Sequence, residues 1–407
     1  MSVKNTNKTR VVEELLGRTN IVLVSHYFAT GQPQLLESFL KNKTRMFLVI
    51  YHPFYFCKEL SSKAYFHKYG ELTKDFRFPW IKMPEMLTYI KDIVATLIIV
   101  IRSKRRYHLY IGADCLNAFV GLILRKLKLV NKVILYTIDL PVVRFKSSLK
   151  NKLYHLLNIS CAYHCDIIWD LSRRMNLVRK MYGMKEKLCS PIIVVPSCMR
   201  ISHKLVSKLK SNKDTKILVF LGHLVERQGL QLVISAMPLL IRKIPNIKLL
   251  IIGTGPYEVR LKTLAKQLGL LNKYVIFLGY IGNHETVEQI LKKADIGLAP
   301  YVPDPYSITM YADPMKPKVY MACGLPVIIT KFPTIAKLIW ERKAGIVINY
   351  DVKDLIDAII KMLSNDHTYK SYKINALKLA QEFSCDKVFS KALLSTFHLL
   401  ITESNKS

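Results

Sequence analysis

The sequence predicts an α/β protein of two Rossmann-like, doubly wound domains facing each other across a cleft. Two successive series of buried strands alternating with helices carry that expectation. Between them lies a polar, basic stretch, SCMRISHKLVSKLKSNKDT, from Ser197 to Thr215, which reads as a linker. The 407 residues, half of them hydrophobic, suffice for two cores. The expected domains are 1–205 and 206–380, with 381–407 a helical tail returning to the first.

In the first series NIVLVSHYF, from Asn20, is a buried strand, and Gly31-Gln32-Pro33 leads into the helix QLLESFLKN. MFLVIYHPF follows as a second strand, and a long basic helix spans about 84–106. HLYIGAD and KVILYTID are strands that finish in Asp114 and Asp139, before YHCDIIWDLS and PIIVVPS. The second series runs KILVFLGHL, the helix LQLVISAMPLLIRKI, IKLLIIGTGP, the helix VRLKTLAKQLGL, YVIFLGYI, the helix HETVEQILKKA and DIGLAPY. PVII, GIVI and the helix DVKDLIDAIIKMLSND complete it. In such sheets ligands bind beyond the carboxyl ends of the strands.

The net charge is +33, from 62 Lys and Arg against 29 Asp and Glu, and most of it lies in the first half. That bias points to an anionic partner: a phosphorylated substrate, an anionic membrane surface or nucleic acid. The cluster Arg102, Lys104, Arg105, Arg106 follows the apolar run IVATLIIVI, which is far short of the roughly 20 residues that span a bilayer. The eight cysteines are scattered and fit a reducing compartment, and neither an Asp-x-Asp nor a His/Cys cluster suggests a metal or cofactor. The polar N-terminus does not read as a signal peptide. Nucleic-acid binding rests on charge alone, without a recognised module.

ADPMKPKVYMACGLPVI, from Ala312, poses the sharpest local question. Asp313 reads as an N-cap and Pro314 as the first helical residue, with Gly324 ending the helix. Lys316 and Lys318 then sit in the first turns, where the helix dipole disfavours cations unless an anion is nearby. Lys316 is the better candidate for phosphate, and the alternative is a simple pair with Asp313.

FLGHLVERQG, IIGTGP, VIFLGYI, KKADIGLAPY and KVYMACGLPVI, in this order, resemble the retaining nucleotide-sugar glycosyltransferases of family four, which have the GT-B fold. The resemblance runs from Lys216 to about Asp366; the first half is similar only in outline. It implies a nucleotide-sugar donor and retention of anomeric configuration, while the basic charge points to a glycan, polysaccharide or lipid-linked acceptor at a membrane. The first domain would then face acceptor and membrane, and the second would bind the nucleotide sugar. Where the family grips the diphosphate with Gly-Arg and Lys-Gly, this chain has Gly222-His223 and Gln228-Gly229, with Arg227 one residue earlier. The two family glutamates fall on Tyr311 and Val319. The family's His-Asp at a first-domain strand end becomes Ile138-Asp139.

The candidate catalytic residues are therefore Asp139 and His26. The diphosphate candidates are Gly222, His223, Arg227, Gln228 and Lys316. Gly31, Gly253, Gly255, Gly279, Tyr280, Asp313 and Val319 are candidates for the nucleoside or sugar. The expected place of work is the cytoplasm, peripheral at the inner membrane face. The rival reading is a catalytically degenerate scaffold or partner subunit, motivated by the replaced His, Lys and Glu.

Overall fold

The computed structural model describes residues 3–27, 31–201 and 215–404. Much of the linker stretch therefore lies outside the described residues. The chain divides into two compact units, Met1–Cys198 with Cys385–Ser407, and Met199–Ser384. The second is thus inserted near the end of the first.

The first unit is built on an eight-stranded sheet. Strands β1 (Asn20–Tyr27), β2 (Met46–Pro53), β5 (Tyr107–Ala113), β6 (Val130–Thr137), β7 (Ile167–Asp170) and β8 (Ile192–Val194) are parallel. They lie in the order β2-β1-β5-β6-β7-β8, and the reversal of strand order between β1 and β5 makes a topological switch point. These strands read as continuous apolar runs because helices cover both faces. Val22, Val24, Leu48, Ile50, Tyr110 and Val133 are fully buried.

Two elements escape the pattern reading. An antiparallel hairpin, β3 (Ser62–Lys68) and β4 (Glu71–Phe78), extends the sheet beyond β2. Its turn, Tyr69-Gly70, has both φ angles positive, at 50° and 90°, the conformation that matches strand twist in a tight hairpin. β4 is the edge and is mostly exposed, and its charged residues guard against pairing with another chain. A helix, α1 (Val3–Gly17), also precedes β1 and packs on the last helix.

Helices α2 (Gln32–Leu40), α3 (Glu85–Arg102), α4 (Cys115–Lys126), α5 (Ser148–His164) and α6 (Met175–Met181) complete the layers. Gln32 seals the start of α2: its side-chain amide exchanges hydrogen bonds with the Cys198 backbone at 2.9 and 3.1 Å.

The second unit has six parallel strands in the order β11-β10-β9-β12-β13-β14. They are β9 (Lys216–Leu221), β10 (Ile247–Ile252), β11 (Val275–Gly279), β12 (Ile296–Ala299), β13 (Val327–Thr330) and β14 (Gly345–Ile348). Helices α7 (Leu230–Lys243), α8 (Glu258–Gln267), α9 (His284–Lys293), α10 (Met315–Ala322), α11 (Ile335–Glu341), α12 (Val352–Leu363) and α13 (Asp366–Ala380) flank them. Its switch point falls between β9 and β12. The last helix, α14 (Cys385–Ser404), packs on α1, α2 and β8.

Candidate functional site

In the second unit several of the sequence candidates converge at the switch point. β9 ends at Leu221, and Gly222 takes φ +143°, which side chains other than glycine rarely adopt. A Cβ there would stand 3.2 Å from Cε of Lys316, so the glycine leaves the lysine its place. Gly253 and Gly255, in the loop after β10, are equally tight: a Cβ on either would run into the backbone of Gly222 or Leu224. Gly229 opens α7 at φ +75° and lies against the Pro300 carbonyl. The glycines thus press the β9–α7 and β10–α8 loops together beside Lys316. His223 is exposed, and its Nδ1 lies 2.9 Å from the Thr254 carbonyl, tying these two loops.

Lys316 donates to Oε1 of Gln228 at 2.6 Å, and its ammonium lies 3.7 Å from the centre of the Phe220 ring and 5.2 Å from that of Tyr301. The residue as a whole is half-buried, but its charged end is turned inward. Among the described residues it has no carboxylate partner. Burial pushes its pKa well below the ordinary lysine range.

Tyr320, one turn along α10, fixes this arrangement. Its hydroxyl accepts from the Leu221 amide at 2.7 Å and donates to the Leu298 carbonyl at 3.2 Å, which locks α10 across the ends of β9 and β12. The ring fits only because position 297 is glycine, where a Cβ would meet it at 2.4 Å. Sequence reasoning missed Tyr320. The signal was present in the pairing of Gly297 in a strand with a bulky residue on the following helix.

Other candidates lie differently. α10 begins at Met315 with Pro314 at its cap, so Asp313 is not the N-cap that its sequence suggested. Its carboxylate instead pairs with Lys318, which is fully buried with its ammonium 3.9 Å from the Phe383 ring centre. Lys318, not Lys316, is therefore the partner of Asp313. A buried lysine needs its counter-charge, and this outweighs capping. Val319 is half-buried against the core, and Tyr311 is buried with its hydroxyl on the Pro305 carbonyl. Arg227 is exposed beside Gln228, and its carbonyl accepts from the Val302 amide. Gly279, at φ +68°, accepts from the Gly253 amide at 2.8 Å, and Tyr280 next to it is 78% exposed.

In the first unit the switch point holds a cavity of about 240 Å³, lined by His26, Phe54, Asp114, Arg144, Tyr154 and apolar residues of α3 and α5. Its polar end is Asp114 with Arg144; Asp114 (φ +84°) caps α4 through the Leu116 amide. Asp139 follows β6 nearby. The residue is exposed, yet the protein packed about its carboxyl raises its pKa, opposed by Arg144 and reinforced by Asp114. Gly31 caps α2 and donates to Gln34 Oε1 at 2.8 Å.

His26 belongs to a buried network. Its Nε2 lies 3.1 Å from Oδ2 of Asp92, and its Nδ1 is 3.3 Å from Nδ2 of Asn117, which can only donate. Asp92 also meets Lys91 at 2.5 Å and His52 at 3.3 Å. Both nitrogens of His26 thus have partners within the protein, and its ring forms part of the cavity lining. The signal for this network was the Lys91-Asp92 pair immediately before the apolar run within α3. Among the described residues no cluster of three or more His, Cys, Asp or Glu could hold a metal ion, and no helix is long and apolar enough to cross a membrane.

Residues 202–379 match the family model of glycosyl transferases group 1. Alpha-monoglucosyldiacylglycerol synthase of Streptococcus pneumoniae is 29% identical over 46% of this chain and 42% of its own. The chain spans less than half the length of the first curated relatives it matches. Sucrose-phosphate synthase from Thermosynechococcus elongatus superposes with a TM-score of 0.68 over 96% of this chain and all of its own, at 18% identity. HepE of Anabaena in complex with UDP-glucose does so with 0.62 over 94% and 100%, at 14%. The chain carries the GT-B fold, and the stretch that matches glycosyl transferases group 1 lies within its second unit.

Proposed function

We propose that this protein moves a sugar from a nucleoside diphosphate sugar to an acceptor, with retention of configuration. The observation that carries the reading is Lys316, a cation drawn inward beside Gly222 with an amide, not a carboxylate, as its partner. As the glycosidic bond breaks, charge grows on the leaving diphosphate, and a cation already in place lowers that barrier. Gln228, His223 and exposed Arg227 would add contacts to the phosphates, and Gly222, Gly229, Gly253 and Gly255 would let backbone approach. Gly279 and Tyr280 would meet the nucleoside.

The cavity of the first unit would receive the acceptor, with Asp139, Asp114 and Arg144 orienting its hydroxyl. Exposed Met86, Ile90 and Val94 on α3, and Leu149, Leu153 and Leu156 on α5, favour a lipid-linked acceptor at an anionic, cytoplasmic membrane face. A lipid product also appears in the name of the Streptococcus relative.

The second reading is a non-catalytic partner subunit, favoured by Tyr311 and Val319 where the resembling family has glutamates. Calorimetry with UDP, GDP and ADP against the free nucleosides tests both. The enzyme requires one diphosphate to bind in preference to its nucleoside; absence of binding to all three leaves the partner-subunit reading.

A further inference from the structure

At the other end of the first unit's sheet, where β2 and β5 begin, there is a separate cavity of about 320 Å³. The last turn of α3 and the β3–β4 hairpin enclose it. Phe47, Phe66 and Phe76 form apolar walls, Lys74, Arg102 and Arg105 supply cations, and none of the lining residues is acidic. The Arg102 guanidinium is held 6.0 Å from the centre of the Phe76 ring.

Two polar atoms among the lining residues are buried and unsatisfied: Oη of Tyr107, a residue only 1% exposed, and Nδ1 of His67. Neither has a well-aligned hydrogen-bond partner among the described residues, although the Gly70 backbone interacts with the histidine ring. Ser103, beside the tyrosine, spends its hydroxyl on the Val100 carbonyl at 2.6 Å. Buried polar atoms are seldom left so, and an incoming oxygen would satisfy them. Three cations around a small volume call for more than one negative charge. A phosphate supplies it on several oxygens, in the geometry a guanidinium fits.

We propose that this cavity binds a phosphate monoester. Arg102, Arg105 and Lys74 hold its oxygens, Tyr107 Oη donates to one of them, and the aromatic walls take the esterified group. The site is distinct from the donor and acceptor places proposed above, so it stands or falls without them. The phosphate has two potential sources, a soluble phosphorylated metabolite or a phospholipid headgroup.

Calorimetry with glycerol 3-phosphate tests the soluble source. Flotation with phosphatidylcholine vesicles in which about one lipid in five is phosphatidic acid tests the other. Binding in either arm should fall at least about tenfold in Lys74→Glu/Arg105→Glu and severalfold in Tyr107→Phe. It should fall much less in Lys104→Glu/Arg106→Glu, which changes the charge equally outside the cavity. Tyr107→Phe removes only the unpartnered hydroxyl and keeps the test open if the double reversal fails to fold. The proposal is overturned if neither probe binds the wild-type chain, if Tyr107→Phe and the cavity reversal bind as wild type, or if both double reversals lose binding alike.

Discussion

The ammonium of Lys316 donates to the side-chain oxygen of Gln228 at 2.6 Å, a neutral partner for a charge turned into the protein. A neutral amide compensates a buried cation less than a carboxylate would, and burial accordingly depresses the lysine's pKa. A diphosphate set beside it reverses that shift. Lys316→Met should weaken UDP binding roughly tenfold or more while sparing uridine, a charge-assisted contact being worth about 1.5–3 kcal/mol. Above the depressed pKa, UDP binding should also take up protons. Calorimetry in buffers of different ionisation enthalpy measures that uptake, which should vanish in Lys316→Met.

Tyr320→Phe should cost about 1–3 kcal/mol, because it leaves the partly buried Leu221 amide without its acceptor. UDP affinity should fall as well, since α10 loses its anchor to β9. Urea unfolding and nucleotide titration of the same variant read the two effects. Unchanged stability would mean that the amide finds another partner.

The buried pair of Asp313 and Lys318 should behave as a unit. Asp313→Ala alone leaves a fully buried ammonium without its carboxylate and should cost about 3–5 kcal/mol. Replacing both, as Asp313→Ala/Lys318→Met, should cost less than the two single changes added. A double-mutant cycle on denaturation midpoints gives the coupling directly.

Acid should loosen the first unit through His52. Burial holds its pKa down at about 3, with Asp92 opposing and His26 and Lys91 adding to the fall. An unfolded histidine titrates near about 6.5, so between there and about 3 the unfolded chain carries a proton that the folded chain lacks. Stability is therefore complete above this window and declines as pH drops through it, by up to about 1.4 kcal/mol per pH unit. His52→Gln should flatten that slope, as unfolding midpoints across the window will show.

Membrane contact should depend on the apolar faces of α3 and α5 together with charge. Ile90→Glu/Leu153→Glu should reduce sedimentation with anionic vesicles severalfold, and added salt should weaken what binding the wild type shows. Equal binding to neutral vesicles would remove the electrostatic part.

The alternation of buried strands and helices was legible because a parallel sheet covered on both faces demands it, as in Ile21–Val24 and Leu218–Phe220. The hairpin was not, since β4 is solvated and its charges mask any period of two. At the site, glycines such as Gly222 and Gly253 could be found from a resemblance in spacing. Which lysine pairs with Asp313 could not. Two residues of helix decide whether a side chain faces the core or the loop, and sequence alone does not set the start of α10. The network around Asp92 joins β1, β2 and α3, partners up to 66 residues apart whose meeting depends on strand order.

The insertion of one unit within the other sets the order in which a ribosome delivers them. When Ser384 has been translated, every strand and helix of the second unit exists, while the first still waits for α14. Until then Phe39 lacks its ring contact with Phe389, and the indole N–H of Trp169 lacks Thr396. The half made first is therefore finished last, and in the interval its apolar surface is open to chaperones or to neighbouring nascent chains. A stop codon or bulky fusion within the last helix would consequently injure the amino-terminal half of the molecule, not the part nearest to it in sequence.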